Sequence, residues 1–212
     1  MTAEIVFDHV YTRALQGEPC VVHGADRLPV DLPLSAWSAG AGSSDRLLLS
    51  HCHGPTLDIG CGPGRMAQEL AQRGIRVLGV DVIEEAVRQT RARGVGALLR
   101  DVFDPLPGEG RWETALLADG NIGIGGDPVR LLRRVHELLA PGGGVVADVG
   151  APGAGLRLHE LTLECGGSHS DPFPWALVGA EQVAGLAAET GFSVRLVDTI
   201  GGRWFTVLES QG

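Results

Sequence analysis

Between residues 54 and 150, short apolar runs alternate with segments whose apolar residues recur at helical spacing. Thr56-Leu57-Asp58-Ile59 predicts a strand. Arg65 to Arg73 predicts a helix, with Ala67, Leu70 and Ala71 on one face and Gly74 as its stop. Arg76 to Val80 predicts a second strand. Ile83, Ala86, Val87 and Thr90 then fall at i, i+3, i+4 and i+7, the stripe of an amphipathic helix. Ala97 to Arg100 and Thr114 to Ala118 predict the third and fourth strands. Asp127 caps and Pro128 opens a helix that carries Leu131, Leu132, Val135, Leu138 and Leu139 on one face and stops at Pro141-Gly142-Gly143. Val145 to Val149 follows as a fifth strand. Strands separated by helices of this length imply right-handed crossovers and a parallel sheet covered on both faces.

The two ends of the chain are patterned differently. A helix from about 180 to 190 leads into Phe192 to Leu196, which alternates strictly, and Gly201-Gly202 separates it from the strand-like Trp204 to Leu208. A glycine pair between two strands is hairpin chemistry, so the sheet is expected to be mixed, with an antiparallel member near one edge. Residues 1–53 hold too few apolar residues to bury a core alone. They are expected to form a helical and irregular lid segment on a core of 54–212. The stretch 151–178 is a second irregular zone, expected to be a substrate lid inserted after the fifth strand.

The chemistry concentrates in Leu57-Asp58-Ile59-Gly60-Cys61-Gly62-Pro63-Gly64-Arg65. Such glycines let a strand turn tightly into a helix and bring backbone N–H groups against a ligand. The dinucleotide fingerprint GxGxxG requires glycine at 65, where Arg65 stands, which counts against a nucleotide-dependent dehydrogenase. Asp58 precedes the loop, Asp81 ends the second strand, Asp101 the third and Asp119 the fourth. A single aspartate at such a place commonly caps a turn. Four in register line one rim of the sheet, where they repel pyrophosphate and suit a cationic, ribose-bearing ligand.

These residues resemble the class I S-adenosylmethionine (SAM)-dependent methyltransferases. LDIGCGPG at 57–64 is similar to that family's first motif, and Leu139-Ala140-Pro141-Gly142-Gly143 to its LxPGG motif. The resemblance implies a Rossmann-like α/β fold: a seven-stranded mixed sheet in the order 3-2-1-4-5-7-6, strand 7 antiparallel, with helices on both faces. It implies that the loop at Gly60, Cys61, Gly62 and Gly64 packs against the methionine part of SAM, with Asp58 ordering it near the sulfonium. Asp81 would hold the ribose hydroxyls, and Asp101, Val102 and Val82 the adenine. Ala118, Asp119 and Gly120 would meet the methionyl ammonium, and Tyr11, on an opening helix from Phe7, would cap the cofactor.

Composition narrows the partners. Asp and Glu number 26 against 17 Lys and Arg, all of them arginine, for a formal charge of −9. Such a chain lacks the long-range pull on phosphate of most nucleic-acid binders. The Asp/Asn-Pro-Pro-aromatic motif of base methylases is missing after the fourth strand. No apolar run reaches the ~18 residues of a membrane helix, and residues 1–16 show no secretion signal, so a cytoplasmic protein is expected. Cys20, Cys52, Cys61 and Cys165 form no CxxC pair and read as reduced, buried thiols. His51-Cys52-His53 has no second ligand pair at usable spacing, so no metal is assigned. A small-molecule acceptor is expected, with His169 in the polar stretch 166–171 as general base, Asn121 orienting the acceptor, and His9 reaching it from the opening helix. Phe173 and Trp175 offer an aromatic wall. A non-catalytic SAM-binding partner or regulatory protein is the alternative.

Overall fold

The computed structural model describes residues 7–24 and 30–211; the parts of the lid segment at 1–6 and 25–29 lie outside the described residues. The N-terminal stretch forms α1 (Phe7–Leu15), β1 (Cys20–His23), β2 (Val30–Asp31), α2 (Leu34–Ser38) and α3 (Ser43–Leu48). The core follows as β3 (Thr56–Ile59), α4 (Arg65–Gln72), β4 (Val77–Asp81), α5 (Glu84–Ala92), β5 (Gly96–Leu99), β6 (Trp112–Leu117), α6 (Pro128–Leu138) and β7 (Leu139–Val149). After it come β8 (Leu156–Cys165), β9 (Ser168–His169), β10 (Phe173–Val178), α7 (Val183–Glu189), β11 (Phe192–Ile200) and β12 (Arg203–Ser210).

The main sheet runs β11-β12-β7-β6-β3-β4-β5. Counted from β3 as the first core strand and read from the other edge, this is 3-2-1-4-5-7-6. Pairings among β3 to β7 are parallel, while β12 is antiparallel to both β7 and β11. The Gly201-Gly202 turn makes that hairpin, both glycines having positive φ. Central β3 is buried along its whole length, as a strand covered on both faces must be. On one face Leu57, Ile59, Ala115, Leu117, Val145 and Ala147 pack with α6 and α7. On the other, Leu116, Ala118, Val146 and Phe205 pack with Leu48 of α3 and with Met66 and Leu70 of α4. Local chemistry sets these helices: Asp127 accepts the Arg130 amide at 2.9 Å, Pro128 occupies the first turn, and Leu131, Leu132, Val135 and Leu138 are buried. Each such buried leucine is worth roughly 1.5–3 kcal/mol relative to exposure.

Two expectations are corrected. The zone 151–178 is not irregular: β8 pairs with β10, β9 and β1, and β1 with β2, so it builds a second, antiparallel sheet with the N-terminal stretch. The alternation at Leu161, Leu163 and Cys165 is buried because β1 and α1 cover it, and those lie some 140 residues earlier in the chain. Nor are all four cysteines reduced. Cys20 and Cys165 face one another in the β1–β8 ladder, Cα atoms 4.4 Å apart, and are joined as a disulfide. Cys52 and Cys61 are free and buried.

Candidate functional site

The glycine loop leaves β3 at its C-terminal end. Gly60, Gly62 and Gly64 all have positive φ, 69°, 52° and 84°. A Cβ on Gly60 would lie 2.6 Å from the Asn121 amide nitrogen, and one on Gly64 2.6 Å from the Thr90 hydroxyl. Both neighbours hold the loop. Asn121 donates from one amide nitrogen to the carbonyls of Ile59 and Gly60, each at 2.9 Å, and Thr90 donates to the Gly62 carbonyl at 2.8 Å. Asp81 accepts the Gly62 amide at 2.9 Å and the Ile83 amide at 3.0 Å. The loop is therefore rigid before any ligand arrives.

Asp58, Asp81, Asp101 and Asp119 all line one cavity of about 570 Å³ under this loop. Gly60, Cys61, Gly62, Val82, Val102 and Ala118 line it as well, as do Tyr11 and Asn121. Two expected cofactor residues lie beside it: Gly64 sits behind the loop as the left-handed N-cap of α4, and Gly120 faces an adjoining cavity. The Cys61 thiol packs near Gly79 and Thr90, and burial holds it well above the ordinary thiol range. The wall opposite the loop is aromatic. Trp37, Tyr11, Phe7, Phe173 and Trp175 follow one another with ring centroids 4.5–6.5 Å apart. These are half of the chain's ten Phe, Tyr and Trp residues, carried by α1, α2 and β10.

The electrostatics are acidic and desolvated. Asp58 is 2% exposed, and its Oδ2 has no hydrogen-bond partner. Burial, with Asp119 and Asp81 nearby, pushes its carboxyl up to about 7, against Arg65 and the Ala67 amide. Burial likewise raises Asp81 and Asp119 above the usual carboxylate range. Desolvation by burial raises the Tyr11 phenol, and Asp81 and Asp119 add to the shift. Asp119 has φ 54°, the one positive φ outside glycine among the described residues. Its carboxylate is held by Arg65 at 2.6 Å and Arg203 at 3.2 Å, and its amide donates to Asp148. Asp45 pairs with both arginines, and Arg203 with Asp148.

Of the three residues expected to be catalytic, Asn121 lines the cavity, while His9 and His169 do not. His169 is exposed on β9, paired in register with Glu164, its ring 6.0 Å from that of His23. It lies outside the cavity because its strand folds back along the outer part of β8. His9 is exposed, whereas Phe7 and Tyr11, one helical turn apart, turn to the cavity. Asn121 lines the cavity, and its amide nitrogen donates to the glycine loop. Among the described residues no histidine lines the cavity. Sequence reading also missed Asp45, Asp148 and Arg203. Asp148, at the end of the fifth strand, carried the same register signal as the other aspartates; Asp45 and Arg203 carried none.

The comparisons agree with this geometry. Residues 56–143 match a family model described as Methyltransferase domain. A tabtoxin biosynthesis enzyme of Pseudomonas amygdali pv. tabaci is 40% identical over 65 residues, 31% of this chain and 26% of that protein. A ubiquinone biosynthesis O-methyltransferase of Pseudomonas aeruginosa (strain UCBPP-PA14) is 33% identical over 98 residues, 42% of this chain and 41% of that protein. The chain thus spans less than half the length of these curated relatives. A SAM-dependent methyltransferase from Bacteroides fragilis, solved with S-adenosyl-L-homocysteine, superposes with a TM-score of 0.78 at 20% identity, over 95% of this chain and 93% of that one. The 1,6-didemethyltoxoflavin-N1-methyltransferase of Burkholderia thailandensis superposes at 0.61 and 20% identity, over 80% and 77%. Residues 56–143 thus match a methyltransferase domain, and the chain as a whole has the fold of these SAM-dependent methyltransferases.

Proposed function

We propose that the protein transfers the sulfonium methyl of SAM to a small-molecule acceptor, releasing S-adenosyl-L-homocysteine. The observation that carries this reading is the convergence of Asp58, Asp81, Asp101 and Asp119 on one cavity beneath a preformed glycine loop. The residues fit a cationic cofactor. The orphaned Asp58 Oδ2 is a buried acceptor without a donor, a costly state that a nearby positive charge relieves. Asp81 holds the ribose hydroxyls, Asp101 and Val102 face the adenine, and Ala118 and Asp119 receive the methionyl end. When bound, SAM supplies an activated methyl group, so the protein's task is to align acceptor and donor and to exclude water, alignment being worth up to ~7–11 kcal/mol. The aromatic wall from α1, α2 and β10 serves that exclusion. In this reading the stretches 1–53 and 151–178 act together as the lid on the core 54–212.

The acidic balance of the chain and its fourfold carboxylate rim support an acceptor other than a nucleic acid. Among the described residues no helix is long and apolar enough to cross a membrane. A cytoplasmic location belongs to the same proposal, and the Cys20–Cys165 disulfide counts against it. Among the described residues no histidine lines the cavity wall, which favours an acceptor that needs no imidazole base.

Calorimetry tests the site. Wild-type protein is expected to bind SAM and S-adenosyl-L-homocysteine. Asp81→Ala should weaken both about ten- to hundredfold, the loss of charge-assisted hydrogen bonds worth ~1.5–3 kcal/mol. Unchanged affinity in a folded Asp81→Ala protein would move the site elsewhere, and tight binding of NAD in place of SAM would replace the reading.

A further inference from the structure

A second cavity, of about 700 Å³, opens over the ends of β6 and β7 and the β11–β12 turn. It adjoins the first: Trp37, Arg65, Asp119 and Trp175 line both. Trp204 lines the second alone, so three of the chain's four tryptophans, all half-buried, surround it. Its ionisable lining is Asp45, Arg65, Asp119, Asp148 and Arg203, three carboxylates against two guanidinium groups. Both guanidinium groups are engaged within the set. Arg65 holds Asp45 and Asp119, and Arg203 holds Asp45, Asp148 and Asp119. The floor is therefore net negative, with its cations already neutralised by carboxylate partners.

We propose that this second cavity binds an aromatic ring bearing an amine and that the amine nitrogen is the methyl acceptor. The inference rests on reading the first cavity as the donor site. Tryptophan faces beside a carboxylate attract an aromatic body and a cationic or incipiently cationic nitrogen. An anionic ligand finds no unpaired cation here. A phenol would have to ionise against the negative floor. A neutral amine instead develops positive charge as it reacts, and fixed negative charge stabilises that change. An amine that arrives as ammonium first releases a proton to solvent, and the freed nitrogen lone pair then forms the new N–C bond to the methyl carbon of the sulfonium donor. The C–S bond breaks with its electron pair left on sulfur, now a neutral thioether, and the alkylated ammonium releases its proton to solvent.

The test is calorimetric binding of three indoles that differ in charge, tryptamine, tryptophol and indole-3-propionate, to protein saturated with S-adenosyl-L-homocysteine. Tryptamine is expected to bind at least tenfold more tightly than indole-3-propionate. Trp204→Leu should weaken tryptamine at least fivefold and leave S-adenosyl-L-homocysteine affinity within twofold, which also reports that the variant is folded. Equal or tighter binding of indole-3-propionate, or no binding of tryptamine to the saturated protein, overturns the inference while the donor site stands. Failure of S-adenosyl-L-homocysteine itself to bind overturns the donor-site reading and this inference with it.

Discussion

Asp58 is the residue on which cofactor binding and pH meet. Its carboxyl titrates near 7 in the ligand-free protein, whereas an unfolded aspartate titrates near 4. Between those values the native state holds a proton that the unfolded chain has released. Stability from this group is therefore fully present below about pH 4 and is lost as pH rises through 7. Denaturant unfolding at pH 5 and pH 8 should show that slope, and Asp58→Asn should flatten it. Binding of a cation works in the opposite sense, because it favours the ionised carboxylate. SAM affinity should rise as pH passes upward through 7 in the wild type and stay level in Asp58→Asn, measured by titration across pH 6–8. The sequence placed Asp58 before the glycines, but its desolvation follows from the sheet around it. His169 shows the converse: a polar neighbourhood in sequence suggested a base, and the fold turned it outward.

At the scale of elements, the stretches proposed as a lid form a sheet, and the Cys20–Cys165 bond joins its strands. Residues 145 positions apart are joined, so reduction frees a long segment of the unfolded chain and should lower stability by about 2–4 kcal/mol. Unfolding with and without reductant, and in the Cys20→Ser, Cys165→Ser double variant, checks this. Because Val22 of β1 and Leu161 and Leu163 of β8 line the cavity under the glycine loop, the proposed SAM affinity should fall alongside stability. The core elements were legible because each strand and helix carries its own period and its own stop, such as Asp127-Pro128 or Gly201-Gly202. The lid strands were not legible, because β8 becomes half-buried only when the distant β1 and α1 cover it.

Across the whole molecule, five charged residues tie together α3, α4, the end of β6, β7 and β12, and all five line the second cavity. Arg203 is the hub. Replacing it with methionine leaves Asp45 and Asp148, each 5% exposed, short of a partner, and should cost about 3–5 kcal/mol. Thermal unfolding of Arg203→Met should show a clear drop that added salt does little to mimic, since buried pairs are weakly screened. No local pattern announced this network, because its members are scattered from residue 45 to residue 203. Sequence by itself determined the core strands and helices, the terminal hairpin, the glycine loop and the aspartates at the strand ends, since periodicity, turns and caps act over a few residues; the strand order came with the family resemblance. Tertiary structure alone decided the second sheet with its disulfide, the aromatic wall, the ion network and the outward turn of the histidines, since contact, burial and desolvation arise only between segments far apart in the chain.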